Sequence, residues 1–205
     1  EGLAWEDLDG DGALDLILAL PQGCRVVPGR GAASRGAVST PALLGPPEQR
    51  GILTWDADSD GDLDVYTPSR GGSSCLLRNV GDGALRVEEG FLPGGFGIGP
   101  GAVAADVDLD GDVDLFVAAG GAEGRLFRND GAGGLAPLVG EHPAITRPAR
   151  SGAWGDFDGD GRPDLFVASF SGRDRLLENV GGGRLEPVPA DPAGPAQAVN
   201  IVEFA

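Results

Sequence analysis

Short apolar runs alternate with stretches of glycine, asparagine and aspartate along the whole chain. Runs such as Gly101–Ala105 and Leu115–Ala118 hold five and four residues, which is short for a helix and typical of a buried strand. The segments Arg175–Glu178 and Arg184–Val188 flank an Asn/Gly-rich stretch, and these residue types supply the positive φ that a hairpin turn needs. The pattern predicts short antiparallel strands joined by tight turns.

The turn regions repeat with a fixed period. The pattern D-x-D-x-D-G-x-x-D occurs four times, and its first aspartates lie 49, 50 and 50 residues apart. A second pattern, N-x-G-x-G, begins at Asn79, Asn129 and Asn179 with the same spacing and is missing from the first unit. About four short strands fit in each unit, which is the size of a propeller blade.

The chain is therefore predicted to be all-β, a single β-propeller of four-stranded antiparallel blades over residues 1–205. Its four repeats of about 50 residues span approximately 1–49, 50–99, 100–149 and 150–198, and residues 199–205 begin a further blade or close the ring. Two architectures fit this pattern: four blades of a larger propeller, or a small four-bladed toroid.

The aspartates of each loop are predicted to bind a cation, because four carboxylates within nine residues repel one another unless positive charge lies among them. Positions 1, 3, 5 and 9 offer carboxylates and position 7 a backbone carbonyl, and such hard oxygen donors favour Ca²⁺. The predicted carboxylate ligands are Asp7, Asp9, Asp11, Asp15, Asp56, Asp58, Asp60, Asp64, Asp106, Asp108, Asp110, Asp114, Asp156, Asp158, Asp160 and Asp164. The predicted carbonyl ligands belong to Ala13, Asp62, Asp112 and Arg162. Up to four Ca²⁺ ions are expected.

An EF-hand and a plain surface loop fit the sequence less well than this kind of cation site. An EF-hand needs a glutamate at position 12, where this chain has leucine, threonine or valine. A solvated surface loop would account for one copy but not for four copies in register. In the fourth loop Arg162 and Pro163 lie beside the aspartates, so this site is expected to bind its ion most weakly.

The charge balance narrows the range of partners. The chain has 15 basic and 32 acidic residues and a formal net charge of −17, which argues against a nucleic-acid partner. Four divalent ions would add +8 and leave −9, so much of the acidity is explained by metal ligands. No apolar run approaches the ~20 residues of a membrane span, and no membrane insertion is expected.

The two loop patterns, in units of about 50 residues, resemble the FG-GAP or VCBS repeat of integrin α-subunit propellers, cartilage acidic proteins and bacterial secreted proteins. The resemblance covers essentially the whole chain. It implies a β-propeller, commonly seven-bladed, with structural Ca²⁺ ions in the loop between the first two strands of each blade and ligands bound elsewhere. Two features depart from the family: only four units are present, and the first lacks the N-x-G-x-G hairpin.

No enzymatic function is predicted. The single histidine, His142, lies between the third and fourth units and is interpreted as an ordinary loop residue. The nucleophile, phosphate-binding and zinc-protease motifs of common enzymes do not occur. A metal-assisted hydrolase would need an open coordination position and a second catalytic group, whereas each aspartate loop resembles a nearly closed cage.

Five further side chains have two interpretations each. Trp5, Trp55 and Trp154 lie one or two residues before the aspartate loops, which predicts packing between blades, with a sugar-stacking platform as the alternative. Cys24 and Cys75 occupy matching places in the first two units. Matching strands of adjacent blades usually lie further apart than the ~4.4–6.8 Å Cα separation of a disulfide, so buried free thiols are predicted.

Together these observations predict a calcium-stabilised propeller that acts as a protein-binding or adhesion scaffold. An extracellular or cell-surface location is expected, because affinities of ~10⁻⁴–10⁻³ M suffice for Ca²⁺ there. Its partner would be an unidentified protein or glycan, and self-assembly is expected if the chain is a partial propeller. The alternatives are a carbohydrate-binding, lectin-like propeller and the propeller portion of a secreted enzyme.

Overall fold

The computed structural model describes residues 2–29, 43–49, 51–69, 74–89, 91–92, 101–118, 124–138, 149–169 and 174–189. His142 and residues 199–205, on which sequence predictions rest, lie outside these ranges. Blade 1 comprises β1 (Gly2–Glu6), β2 (Asp15–Leu20) and β3 (Gly23–Val27), and blade 2 comprises β4 (Leu53–Trp55), β5 (Asp64–Thr67), β6 (Cys75–Asn79) and β7 (Leu85–Glu89). Blade 3 comprises β8 (Gly101–Ala105), β9 (Asp114–Ala118), β10 (Arg125–Asn129) and β11 (Leu135–Pro137). Blade 4 comprises β12 (Ala149–Gly155), β13 (Asp164–Ser169), β14 (Arg175–Asn179) and β15 (Leu185–Pro187).

Each blade is a meander in which strands that follow one another in sequence pair antiparallel. In blade 2, Val65 of β5 pairs with Leu77 of β6, and Leu77 pairs with Val87 of β7. The all-β, propeller-like architecture predicted from the repeats is therefore confirmed. The ranges described above contain no helix that could span a membrane.

Blade 1 differs from the predicted four strands. Its described residues form three strands, and the fourth position is taken by an isolated pairing of Cys24 with Leu44. The Cys24 amide donates to the Leu44 carbonyl at 2.7 Å, and the Leu44 amide donates back at 2.8 Å. The N-x-G-x-G pattern that joins the third and fourth strands of blades 2 to 4 does not follow β3.

The hydrophobic core lies between blades. One cluster, containing Ile17 and Leu77, joins blades 1 and 2, and a second, containing Trp55 and Phe127, joins blades 2 and 3. A third cluster around Phe116 joins blades 3 and 4. Burying a phenylalanine or leucine of this kind contributes roughly 1.5–3 kcal/mol. The blades are therefore stabilised mainly by their neighbours, as in other repeat proteins.

The two cysteines lie in the cluster between blades 1 and 2, where both are buried and neither is in a disulfide. The prediction of buried free thiols is confirmed. Burial raises the pKa of the Cys24 thiol to about 12. A thiol held in this state is a poor nucleophile, because the thiolate is the reactive species.

The tryptophans differ in burial because they do not all face a neighbouring blade. Trp55 is buried and packs edge-on against Tyr66, with ring centroids 6.2 Å apart. Trp154 is half-buried against the cluster between blades 3 and 4. Trp5 is 54% exposed, and Leu3 beside it is also exposed. Packing between blades is thus observed for Trp55 and Trp154 but not for Trp5, which lies on the outer face of the first blade.

One asparagine in each of blades 2, 3 and 4 connects that blade to the preceding one. Asn79 donates its side-chain amide to the carbonyl of Leu8 in the loop of blade 1, at 2.8 Å. The equivalent bonds run from Asn129 to Ala57 at 3.0 Å and from Asn179 to Val107 at 2.7 Å. The same amide group also donates to a carbonyl of its own blade, at 3.1 Å for Asn129 and Val113. Each asparagine thereby links the loops of two neighbouring blades through a single side-chain amide.

We expect Asn129→Ala to lower the free energy of unfolding by about 2 kcal/mol, because it leaves two buried carbonyls without donors. Val80→Ala is the matched control, since Val80 is exposed in the equivalent hairpin of blade 2. Urea unfolding of both variants measures the difference. Equal stability of the two variants would show that the asparagine does not hold blades 2 and 3 together.

Candidate metal centres

The carboxylate of the first aspartate in each loop accepts backbone amides from later residues of the same loop. In blade 2, the carboxylate of Asp56 accepts the amides of Asp60 at 3.1 Å and Gly61 at 2.8 Å. The carboxylate of Asp60 in turn accepts the amide of Asp62 at 2.9 Å. Gly61 has a φ of 95°, which favours glycine at this turn. The equivalent bonds occur in the other three loops.

The last aspartate of each loop is buried and links the loop to the third strand. Asp64 accepts the amide of Ala57 at 3.1 Å on one oxygen and the amide of Asn79 at 2.7 Å on the other. Asp114 and Asp164 make the same pair of bonds. In blade 1, where the asparagine is missing, Asp15 accepts the amide of Gly29 at 2.7 Å instead. The sequence predicts this aspartate as a metal ligand but gives no sign of its bonds to the third strand.

Each loop brings carboxylate oxygens of three aspartates within 4.8 Å of one another. The four triads are Asp7, Asp9 and Asp15; Asp56, Asp58 and Asp60; Asp106, Asp108 and Asp110; and Asp156, Asp158 and Asp164. Twelve of the sixteen predicted carboxylates are thus brought together. Asp11, Asp64, Asp114 and Asp160 complete the loops without belonging to a triad. The carbonyls of Ala13, Asp62, Asp112 and Arg162 stay predictions.

Two of the triads contain a buried oxygen that has no hydrogen-bond donor in the described part of the chain. These are the Oδ1 atoms of Asp58 and Asp108, the second ligands of loops 2 and 3. A buried carboxylate oxygen without a donor is costly. A cation among the three carboxylates would satisfy these oxygens, and an all-oxygen donor set suits a hard divalent ion. The residues present therefore fit the metal that the sequence predicts.

Arginines that the sequence analysis did not single out enter loops 2 and 3. The guanidinium of Arg78 lies 2.8 Å from Asp58 Oδ2 and 3.2 Å from Asp64 Oδ2. The guanidinium of Arg128 lies 2.6 Å from Asp108 Oδ2. Both arginines directly precede the asparagine of the N-x-G-x-G pattern. This shared position in the repeat is the sequence feature that could have identified them.

In loop 4 the arginine that pairs with an aspartate belongs to the loop itself. Arg162, at position 7 of the loop, pairs with Asp160 and donates from Nε to the carbonyl of Asn179 at 2.6 Å. The triad of loop 4 contains Asp164 and not Asp160, just as the triad of loop 1 contains Asp15 and not Asp11. The weakening effect of Arg162 on ion binding at the fourth site stays a prediction.

Burial changes the proton affinity of the loops. It raises the pKa of Asp64 and of Asp114 to about 6, although backbone amides donating to both carboxylates act in the opposite direction. Burial and neighbouring carboxylates also raise the pKa of Asp9 and Asp62. The ionised forms of these four carboxylates are therefore held at a cost that a bound cation would offset.

Comparison with known proteins agrees with the repeats. The FG-GAP-like repeat family matches residues 56–117, 106–167 and 156–205. None of the curated proteins matches the chain. A lectin of Agrocybe aegerita, solved to explain its specific recognition of non-reducing terminal N-acetylglucosamine, is 22% identical with a TM-score of 0.58. The biofilm matrix protein Bap1 of V. cholerae is 18% identical with a TM-score of 0.52.

Both solved structures are longer than this chain. The alignment with the lectin covers 90% of this chain and 50% of the lectin, and that with Bap1 covers 88% and 27%. The chain thus spans about half the length of the lectin and about a quarter of Bap1. At these identities the likeness concerns the fold, and the family match, which extends over residues 56–205, adds the repeat itself. The chain belongs to the FG-GAP-like repeat family.

Proposed function

We propose that the chain is a calcium-stabilised propeller segment that serves as a binding scaffold and has no enzymatic activity. The observation that carries the proposal is the set of four aspartate triads at equivalent places in successive blades. Ser59 donates to Asp112 at 3.3 Å, so loops 2 and 3 lie side by side. Ions in these loops would neutralise the carboxylates and stiffen one edge of the blade array.

The proposed partner is a protein, bound in an adhesive role outside the cell. FG-GAP repeats are typical of extracellular proteins, where millimolar Ca²⁺ fills sites of modest affinity. A rigid array of sheets joined by asparagine bonds is a suitable platform for such binding. The proposed role is one of binding because the four triads contain only aspartate among the residues described, and hydrolysis would also need a second catalytic group.

A carbohydrate ligand is the second candidate. It is favoured by the structural likeness to a lectin that recognises terminal N-acetylglucosamine and by the exposed ring of Trp5, since aromatic faces suit sugars. A thermal-shift measurement with N-acetylglucosamine separates the two candidates, because only a lectin should be stabilised by the free sugar. The third alternative, the propeller portion of a secreted enzyme, would require turnover by a longer chain.

If the chain is a partial propeller, we also propose that it assembles with a second copy of itself through the exposed faces of blades 1 and 4. Phe157 is 48% exposed, whereas the residues at the same loop position in blades 1 to 3, Leu8, Ala57 and Val107, are buried by the following blade. The opposite end of the array exposes Leu3 and Trp5. Blade 1 of a second copy packed on blade 4 would continue an interface that the chain already forms three times.

Calcium is expected to raise the midpoint of thermal unfolding by roughly 5–10 °C for each well-occupied site, relative to EDTA. Asp158→Asn should remove one ion from the stoichiometry measured by calorimetric titration, because it deletes a ligand of the fourth triad. Glu186→Gln, an exposed acid of the same blade, should leave the stoichiometry unchanged. An unfolding midpoint that is insensitive to calcium would exclude structural metal sites.

The pH dependence of stability should change sign with metal. In EDTA, the raised pKa of Asp64 and Asp114 means that the folded state binds protons more tightly than the unfolded state. The free energy of unfolding should therefore rise, by roughly 1 kcal/mol per group, as pH falls from about 7.5 to about 5. In calcium it should fall over the same range, because protons compete with the ion. Urea unfolding at several pH values checks both trends, and identical profiles would contradict them.

Self-association is expected to increase with protein concentration in analytical ultracentrifugation. Phe157→Ser should shift the species toward monomer, because it removes apolar area from the outer face of blade 4. Val80→Ser changes a valine of similar exposure that lies in the blade 2 hairpin, and it should have no effect. A chain that stays monomeric at every concentration would refute the assembly.

A further inference from the structure

The structure assigns a second kind of cation to the metal loops: we propose that Arg78 and Arg128 are resident counter-ions that replace part of the metal charge in blades 2 and 3. The inference rests on the proposed calcium function and distinguishes among its four sites. It follows from three observations, which concern the position of each guanidinium, the glycine that covers it and the residues that replace it in blades 1 and 4.

Each guanidinium binds one oxygen of the second loop aspartate and leaves the other oxygen to the triad. Arg78 contacts Oδ2 of Asp58, whereas Oδ1 of the same carboxylate is buried without a donor among the described residues. Arg128 and Asp108 repeat this arrangement. A carboxylate held in this way can bind a guanidinium and a metal ion on different oxygens. The arginine therefore lowers the negative charge of the loop without occupying its centre.

The following blade covers each guanidinium with a glycine of its N-x-G-x-G hairpin. A methyl group on Gly133 of blade 3 would lie 2.8 Å from Nη2 of Arg78, and one on Gly183 of blade 4 would lie 2.7 Å from Nη2 of Arg128. Arg128 also donates to the carbonyl of Gly182 at 3.3 Å. The Arg78 side chain is only 9% exposed. The charge of Arg78 is therefore enclosed between blades 2 and 3, where solvent screens it weakly.

Blades 1 and 4 lack this arginine. The residue at this position is Pro28 in blade 1 and Glu178 in blade 4. In loop 4 a different arginine, Arg162, pairs with Asp160. The triads of loops 1 and 4 also differ in composition from those of loops 2 and 3. The triads of loops 1 and 4 include the last aspartate of the loop, whereas Asp64, the last aspartate of loop 2, is paired with Arg78 and lies outside its triad.

This arrangement predicts that the loops of blades 2 and 3, whose arginines are covered by the following blade, depend less on metal than loop 1 does. Without calcium, the guanidinium of Arg78 offsets the repulsion between Asp58 and Asp64. With calcium, the ion supplies the same compensation. Removing the arginine should therefore be most damaging when no metal is present.

The test compares thermal unfolding of the parent chain and Arg78→Gln in EDTA and in millimolar calcium. In EDTA the variant should unfold about 10 °C below the parent, because it leaves buried carboxylates without a counter-ion. In calcium the gap should close by about half, so the calcium-induced rise is larger in the variant. Arg184→Gln removes an exposed arginine that pairs with Glu186, and its calcium-induced rise should equal that of the parent.

The outcomes separate the inference from the proposed function. A calcium-induced rise that is the same in Arg78→Gln and the parent would overturn the counter-ion role while leaving calcium binding intact. A parent chain that shows no rise at all would overturn the calcium function itself. Where Arg78→Gln does not fold in EDTA, Arg128→Gln replaces it, because the Arg128 side chain is 37% exposed and its loss should cost less.

Discussion

The structure depends on hydrogen bonds from backbone amides to the closely spaced carboxylates of the loops. Four aspartates in nine residues would repel one another in an open loop. Here the first aspartate of each loop accepts amides from within the loop, and the last accepts amides from the loop and from the end of the third strand. The loops are thus folded by the same groups that would bind metal. Local structure and metal binding cannot be changed independently.

The boundaries between blades follow from these loops. The asparagine whose backbone amide donates to the last aspartate also reaches the previous loop with its side chain. A single residue therefore orders its own loop and aligns the neighbouring blade, and the apolar clusters form between the blades so aligned. Arg78 and Arg128 directly precede two of these asparagines but add their charge at the boundary with the following blade. Metal bound in these loops would therefore be coupled to stability along the blade array.

The outer faces of the array differ from the inner boundaries in a way that bears on function. Inner faces are covered by the next blade, whereas Trp5 and Phe157 are exposed on the outer faces. Blade 1 also lacks the asparagine that would reach back to a preceding blade. The exposed faces of blades 1 and 4 therefore carry different aromatic side chains.

The sequence by itself determined the all-β class, the four repeats and the loops in which aspartates meet, because these features depend on local residue order and on a fixed period. The tertiary structure decided the features that need contacts between units. Asn79 donates to Leu8, and Arg78 lies beneath Gly133, and neither contact follows from spacing within one repeat. The difference in burial between Trp5 and Trp55 likewise depends on packing between blades. A repeat specifies its own strands and loops, whereas burial and charge compensation at its faces are set by the adjacent blade.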